Sequence, residues 1–303
     1  MRWPPLALAS LILLAGCTET APAPEPAAPV DQELMSGWRL ARYAFEEGQY
    51  DQAAQMYARV LERAYARDDL GAIGDVGYEL AVVRLRQLDP RAAAAQARGT
   101  RDELRRRGNE PFAELYLVEA VALYELGEEA VAAARAEEAI ALASGAGEPV
   151  AMRAWFLKGR IAADDADATG VRRALAALGR SPNPELQADR LELTGRLELL
   201  QRRPERALAA FRDSADLRRD AEDYLGMARV LALAGAAAER AGVAADAADL
   251  FFRAGRSAEV ERDLANARLW LGAAARLAET TGQAAILAEA NARLDSLAEA
   301  EGR

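Results

Sequence analysis

Small residues recur along this chain at a nearly constant spacing, inside successive apolar segments. The first set is separated by gaps of 40, 39, 39, 36, 40 and 37 residues: Ala41, Ala81, Ala120, Gly159, Gly195, Gly235 and Gly272. A second position follows twelve residues after each: Ala53, Ala93, Ala132, Val171, Ala207, Ala247 and Ala284. A period of this length is typical of stacked supersecondary units, each of which buries its apolar face only against its neighbours. The pattern predicts seven units.

The residue types within each unit favour helices. Ala, Leu, Arg and Glu are strong helix formers, and the alternation that is typical of strands is absent. Glycines such as Gly48, Gly127 and Gly242 separate the two small positions of a unit, where glycine can end a helix in the left-handed conformation. We therefore expect an all-α fold of about seven helix pairs over residues 31–303.

The first and sixth units carry the most specific residues. They are Leu40-Ala41, Gly48-Gln49-Tyr50, Ala53 and Tyr57 in the first, and Gly235, Gly242, Ala247, Phe251 and Ala254 in the sixth. In these residues the chain resembles the tetratricopeptide repeat family, with units longer than the standard 34 residues. The resemblance covers about residues 34–303 and implies a right-handed α-solenoid whose first helices line an inner groove. Unit four departs most, with a loop expected over residues 164–170 and Val171 at the alanine position.

The resemblance places aromatic and arginine side chains on the inner groove: Trp38, Arg42, Tyr78, Tyr124, Arg153, Phe156, Arg160, Arg196 and Arg229. These residue types are enriched at binding hot spots. Arg153 and Arg160 lie two helical turns apart, so they share a face with Phe156 between them. We expect this strip to bind an acidic peptide or a C-terminal carboxylate. The alternative is that the aromatic residues pack in the core and the arginines pair with acids on adjacent helices.

The first 30 residues have a different character. Leu6 to Ala15 is an apolar run broken only by Ser10, and it is too short for a membrane span, which needs about 20 residues. Leu14-Ala15-Gly16-Cys17 resembles the lipobox of a bacterial lipoprotein, which implies cleavage after residue 16 and lipidation of Cys17. Residues 17–30 form an Ala/Pro-rich linker. Thr18, where an Asp favours inner-membrane retention, implies an outer-membrane anchor facing the periplasm. The alternative is an ordinary signal peptide that contains a cysteine.

Composition excludes several classes of site. The formal net charge is -10, and loss of Arg2 with the signal peptide makes it -11, which disfavours nucleic-acid binding. With no histidine and one cysteine, the protein has no Cys/His zinc site and no Ser-His-Asp triad. The acidic run over residues 164–167 lacks the ligand series of a calcium loop. We expect no metal and no cofactor.

These observations favour a binding scaffold over an enzyme. We expect a lipid-anchored scaffold of the cell envelope that binds a protein or peptide partner in its groove. The resemblance to bacterial tetratricopeptide lipoproteins implies outer-membrane protein assembly, control of peptidoglycan synthesis, or pilus and secretion assembly, without ranking them. The alternative is a carbohydrate- or peptidoglycan-binding protein or a carboxylate-dependent envelope enzyme, because two placed carboxylates suffice to hydrolyse a glycoside.

Overall fold

A computed structural model describes residues 31–143, 145 and 148–301, and its regular elements there are all α-helices. The helices are α1 (Gln32–Glu46), α2 (Tyr50–Ala66), α3 (Leu70–Arg86), α4 (Pro90–Arg106), α5 (Ala113–Glu125), α6 (Glu129–Leu142), α7 (Pro149–Asp164), α8 (Ala168–Leu178), α9 (Pro184–Leu200), α10 (Pro204–Asp220), α11 (Tyr224–Arg240), α12 (Ala244–Val260), α13 (Leu264–Thr281) and α14 (Ala284–Glu301). Consecutive helices pair into seven units, and the fold is the all-α solenoid that the repeat predicts.

Aspartates fix the start of the first helix in four of the units. The carboxylates of Asp31, Asp69, Asp223 and Asp263 each accept a hydrogen bond from the backbone N–H three residues further on. That bond satisfies one of the N–H groups that a helix leaves unpaired at its N-terminus. Helices α4, α7, α9 and α10 begin with proline, whose fixed φ suits the first helical position, and α4 and α9 also have side-chain caps from Asp89 and Asn183.

One left-handed residue makes the turn between the two helices of every unit. It lies seven residues after the small residue of the first helix in the first six units. Glycine provides it at Gly48, Gly127, Gly242 and Gly282, and other residues at Leu88, Ala166 and Arg202. Gly48, Gly127 and Gly242 have φ values of 71°, 76° and 78°, which confirms the expected glycine turns.

The spacing of seven residues between the small residue and the left-handed residue corrects the register of the seventh unit. Gly282 makes that turn, so the small residue that corresponds to Gly235 is the buried Ala275, and not Gly272. A Cβ at Gly272 would meet no atom within 4 Å. The predicted second position, Ala284, is exposed, and the half-buried Leu287 packs on the core in its place. The pattern was wrong by one helical turn here because α13 is rich in small residues, several of which fit the spacing.

The small residues let the first helix of a unit approach its neighbours closely. A Cβ at Gly235 would lie 2.9 Å from Cδ2 of Phe251, and one at Gly195 would lie 2.5 Å from Cε1 of Phe211. Ala41, Ala81 and Ala120, at the equivalent positions, are completely buried. The packing role that the sequence predicts for this position is confirmed in these units.

Unit four contains a tight turn where a longer loop was expected. Helix α7 ends at Asp164 and α8 begins at Ala168, so the expected loop over residues 164–170 is wrong in length. The reason is local capping, because the Asp167 carboxylate accepts a hydrogen bond from the backbone N–H of Thr169. Val171 is completely buried at the alanine position.

The predicted signal peptide, Cys17 and the predicted linker all lie outside the described residues. Among the helices that the structure describes, none is both long enough and apolar enough to cross a bilayer.

Candidate binding groove

The first helices of units two to seven line a concave groove that contains a cavity of about 770 Å³. Helices α3, α5, α7, α9, α11 and α13 all contribute to its walls, and the end of α10 adds Arg218. Binding pockets for drug-sized ligands measure about 300 to 1,000 Å³. The cavity therefore has the size of a pocket that surrounds a small molecule or a short peptide.

One wall of the cavity is apolar. It is formed by half-buried side chains from three consecutive first helices: Val82, Leu85, Leu117, Val121 and Phe156. Half-buried apolar side chains that face one cavity offer area that a ligand can remove from water. Apolar side chains of a ligand would lie against this wall.

Many of the predicted groove residues occupy equivalent positions in different units. Trp38, Tyr78 and Phe156 each lie three residues before the small residue of their helix, and Arg42, Arg160 and Arg196 lie one residue after it. Positions separated by four residues share a face of an α-helix. The repeat therefore aligns these residues along one side of the solenoid.

A buried ion network lies beneath the cavity, with Glu192 at its centre. Glu192 is 0% exposed, and its Oε1 accepts a hydrogen bond from Nε of Arg196 at 3.2 Å. Its Oε2 accepts from Nη2 of Arg218 at 3.0 Å and from Nη2 of Arg229 at 3.1 Å. Nε of Arg160 lies 4.0 Å from Oε1. Guanidinium groups from α7, α9, α10 and α11 thus surround one carboxylate.

The network continues towards the third unit. Nη1 of Arg196 donates to Oδ1 of Asp164 at 3.0 Å, and the hydroxyl of Tyr124 donates to the other oxygen of the same carboxylate. The guanidinium of Arg160 stacks 4.4 Å from the centre of the Tyr124 ring. Phe156 lies between two guanidinium groups, those of Arg160 at 5.9 Å and Arg218 at 5.8 Å. These contacts hold the arginines in fixed orientations.

The surroundings shift the two buried carboxyl groups in opposite directions. Burial raises the pKa of Asp189 to about 6, although Arg218 donates to it at 2.7 Å. Burial would also raise the pKa of Glu192, but the charges of Arg229, Arg196 and the other arginines outweigh it and hold that pKa well below its ordinary value. Glu192 is therefore ionised at neutral pH, whereas Asp189 titrates in mildly acidic solution.

Most of the buried nitrogens without a hydrogen-bond partner belong to residues that line this cavity. Among the described residues, four buried side-chain nitrogens lack a hydrogen-bond partner, and three of them are Nε atoms of groove-lining arginines: Arg160, Arg218 and Arg229. A buried polar group without a partner costs about 1 to 3 kcal/mol. Arg160 is the extreme case, because its ion contacts to Glu125 at 3.5 Å and to Glu192 at 4.0 Å are too long or too poorly aligned to be hydrogen bonds.

The other predicted groove residues lie apart from this network. Trp38 and Arg42, at the N-terminal end, both donate to the carboxylate of Glu79, and they do not line the cavity. Tyr78 lines the apolar side and meets the ring of Phe112 edge-on at 6.0 Å. Arg153 also lines the cavity and pairs at 2.6 Å with Glu185. The structure thus brings together five of the predicted residues: Tyr124, Phe156, Arg160, Arg196 and Arg229.

The sequence analysis missed three members of the network, Glu192, Asp189 and Arg218. Arg218 was not predicted because it lies on the second helix of its unit, whereas the resemblance places only first helices on the groove. Glu192 had a signal, since it occupies the register at which units one, two and four carry Trp38, Tyr78 and Phe156. An acidic residue at a position that is aromatic in other units indicates that this position has a different environment in the fifth unit. Nowhere in the described part of the protein does a group of three or more acidic side chains form a candidate metal site.

Comparison with known proteins supports the fold. No family model matches the sequence, and no curated protein matches it. The apo form of the quorum sensor NprR from B. thuringiensis superposes with a TM-score of 0.60 at 14% identity, over 91% of this chain and 85% of that one.

Two further structures contain bound peptides or factors. A Rap protein complexed with competence and sporulation factor gives a TM-score of 0.59 at 12% identity, over 89% of this chain and 77% of that one. NprR in complex with its cognate peptide NprX gives 0.53 at 13% identity, over 91% and 89%. This protein therefore has the α-solenoid fold of the tetratricopeptide-like repeat proteins.

Proposed function

We propose that the protein is an adaptor that holds a segment of a protein partner, or a short peptide, in its inner groove. The observation that carries the proposal is the cavity itself, whose lining combines an apolar wall with arginines of a buried ion network. An apolar wall provides area for side chains, and a few fixed polar groups provide orientation. Both features suit an extended peptide with mixed side chains.

The similar structures support peptide or protein binding as the class of function. The Rap protein binds competence and sporulation factor, and NprR binds the peptide NprX. Identities of 12% and 13% carry no residue of those sites to this protein, so its ligand is argued from its own groove.

We place this adaptor on the cell envelope, anchored through lipidated Cys17 to the outer membrane and facing the periplasm. The support is the Leu14-Ala15-Gly16-Cys17 motif after a short apolar run, together with Thr18. The proline-rich residues that follow reach about 40 Å when extended, at about 3.1 Å per residue. The groove would therefore work close to the membrane surface.

Catalysis by paired carboxylates is less well supported than binding. Such a reaction needs one carboxyl group that gives up a proton to the substrate and a second that contacts the reacting atoms. Glu192 is fully buried and held ionised by arginines, so it can do neither. The Asp189 carboxylate accepts a hydrogen bond from Arg218, and only 7% of the residue is exposed, so little of it can contact a substrate.

Photocrosslinking in intact cells tests the groove. A photoreactive amino acid replacing Val121, on the apolar wall, should capture a partner that is identified by mass spectrometry. The matched control carries the same amino acid at Arg212, an exposed position on α10 outside the cavity. Equal capture at both positions, or capture at Arg212 alone, would reject the groove as the binding surface.

The anchor has its own test. Cys17→Ser should abolish incorporation of a labelled fatty acid and move the protein out of the membrane fraction. A serine variant that is still labelled and still sediments with membranes would show that the anchor lies elsewhere.

A further inference from the structure

We infer that copies of this chain associate head to tail, with α14 of one copy packed on the end face of unit one in the next copy. The end face consists of Gly37, Leu40 and Tyr43 of α1 with Met56 and Arg59 of α2. Leu40 is 56% exposed and Tyr43 is 59% exposed. The terminal units of a solenoid ordinarily present a polar outer face to water. An end face with exposed apolar and aromatic side chains therefore needs an explanation.

The later units show what covers the equivalent face. The residue just before the small residue of the first helix, Leu40 in unit one, is buried in four later units: Leu80, Glu119, Ala234 and Ala274. The residue two places after the small residue, Tyr43 in unit one, is buried in five: Val83, Ala122, Ile161, Ala237 and Leu277. In each of these units the second helix of the preceding unit packs on the first helix. No described helix precedes α1 to do the same for the end face.

Ion pairs between units define which positions meet at these junctions. Glu119 of α5 pairs with Arg98 of α4 at 3.1 Å, and Lys158 of α7 pairs with Glu137 of α6. Glu119 and Lys158 occupy the register of Leu40, whereas Arg98 and Glu137 each lie five residues after the second position of their unit. The fifth residue after the second position therefore contacts the register of Leu40 in the following unit.

A second pair of positions meets one turn further along. Gly255 lies eight residues after the second position of unit six, and a Cβ on it would lie 2.7 Å from Cγ of Leu271. Leu271 lies four residues before Ala275, which is the register of Gly37 in unit one. The eighth residue after the second position therefore meets the register of Gly37.

Helix α14 presents suitable side chains at both positions. Counted from Leu287, the fifth residue is Ala292 and the eighth is Asp295, and both are exposed. No described helix follows α14 to cover them. If α14 packed on a second copy as each earlier second helix packs on the next unit, Ala292 would lie on Leu40 and Asp295 would lie at Gly37.

The charges of the two ends are complementary at this point. A cavity of about 270 Å³ opens between α1 and α2, with Gly37 and Arg59 in its lining. Arg59 and Asp295 are both exposed, and neither forms an ion pair with a described residue. Asp295 in this cavity would supply Arg59 with a charge-assisted hydrogen bond. A symmetric contact between two end faces would not, because the acid there, Glu33, already pairs with Arg63.

Cysteines at the two ends test the contact, with differently tagged copies of the full-length protein in detergent. One copy carries Leu40→Cys and the other Ala292→Cys, and mild oxidation should join them, because a disulfide forms when two Cβ atoms lie about 4 Å apart. The matched control replaces Leu40→Cys by Arg91→Cys, an exposed position on α4, and should not join. Cys17 is present in every sample, so the control also measures any disulfide that it forms.

A chain that carries both Leu40→Cys and Ala292→Cys distinguishes head-to-tail from symmetric association. It should give a ladder of dimers, trimers and longer species, because a head-to-tail contact leaves one free end on each side.

Charge reversal assigns the contact to Arg59 and Asp295. Arg59→Glu in the copy with Leu40→Cys should slow disulfide formation at least about tenfold, because it brings two acids together. Asp295→Arg in the other copy should restore the rate. Arg91→Glu, which changes an exposed arginine that also forms no ion pair with a described residue, should leave the rate unchanged.

A mixed pair that joins no faster than the Arg91→Cys control would overturn the inference and leave the end face to a different partner. Copies with Leu40→Cys alone that join as fast as the mixed pair would overturn it in favour of a symmetric dimer. A rate that Arg59→Glu does not change would reject the Asp295 contact and with it the proposed packing. If Arg59→Glu fails to fold, the cysteine pair still decides, since both of its positions are exposed.

Discussion

The middle of the solenoid and its C-terminal end join their helices by different contacts. Between α7 and α11, the helices meet around the buried Glu192 and its four arginines. Between α11 and α13 they meet through alanines that are completely buried, together with Phe251 and Leu271: Ala234, Ala237, Ala247, Ala254, Ala258, Ala267 and Ala274. Both regions consist of helix pairs of the same repeat.

The two regions differ in whether they bury polar groups. Contacts between alanines depend only on shape, and they leave no polar group in need of a partner. The ion network leaves three guanidinium nitrogens, the Nε atoms of Arg160, Arg218 and Arg229, buried without a hydrogen-bond partner. Buried ion pairs contribute little net stability compared with apolar residues of similar volume. Packing alone therefore does not account for the network.

The largest expected effect comes from removing the centre of the network. Glu192→Gln leaves the buried arginines without their shared counter-ion, which should cost about 3 to 5 kcal/mol. Urea unfolding followed by circular dichroism measures the loss. The control is Glu259→Gln, which breaks a partly exposed pair with Arg293 and should cost less than about 1 kcal/mol. Similar losses in the two variants would mean that the middle is held by its apolar contacts, as the C-terminal end is.

The sequence predicted the scaffold well because the scaffold depends on spacing. Gly48, Gly127 and Gly242 correctly predicted the turns, and the small residues Gly195 and Gly235 correctly predicted the close helix contacts. Spacing failed in the seventh unit, where several small residues of α13 fit the period equally well.

The network was predictable only in part because it depends on contacts between helices far apart in sequence. The register placed Arg160, Arg196 and Arg229 on the inner side of the solenoid. It did not show that Arg218 of a second helix reaches the same carboxylate, a contact that spans 26 residues. Nor did it show that Arg160, alone among these four arginines, makes no hydrogen bond to a described residue. These facts follow from the curvature of the assembled units.

The close helix contacts of the C-terminal region should be sensitive to added side-chain volume. Gly235→Leu places a side chain against the ring of Phe251, to which even a Cβ would lie at 2.9 Å. Overpacking of this kind costs about 1 to 3 kcal/mol. Thermal unfolding measures the effect. A variant as stable as the wild type would show that α11 and α12 pack less tightly than the structure indicates.

The network should respond to pH through Asp189. Asp189 titrates near 3.8 when unfolded and at about 6 in the folded protein. The folded state therefore binds more protons between these values, so stability falls as the pH rises. The loss from this group should be about 1 kcal/mol between pH 5 and 7.

Asp189→Asn should remove this contribution and make the slope shallower, and melting temperatures measured across the range would show it. Asp246→Asn, which removes an exposed acid paired with Arg212, should leave the slope as in the wild type. Parallel slopes for the wild type and Asp189→Asn would mean that Arg218 keeps Asp189 ionised throughout.

The smallest expected effect has the opposite sign, and it tests the corrected register. Gly272 lies within α13 where a Cβ would meet no atom, so alanine fits there without strain. Gly272→Ala should stabilise the protein by about 0.5 to 1 kcal/mol, because alanine loses less backbone entropy in a helix. Gly235→Ala is the matched control, since its Cβ would crowd Phe251 and cancel that gain. Destabilisation by Gly272→Ala would return Gly272 to the close-contact position and remove Ala275 from it.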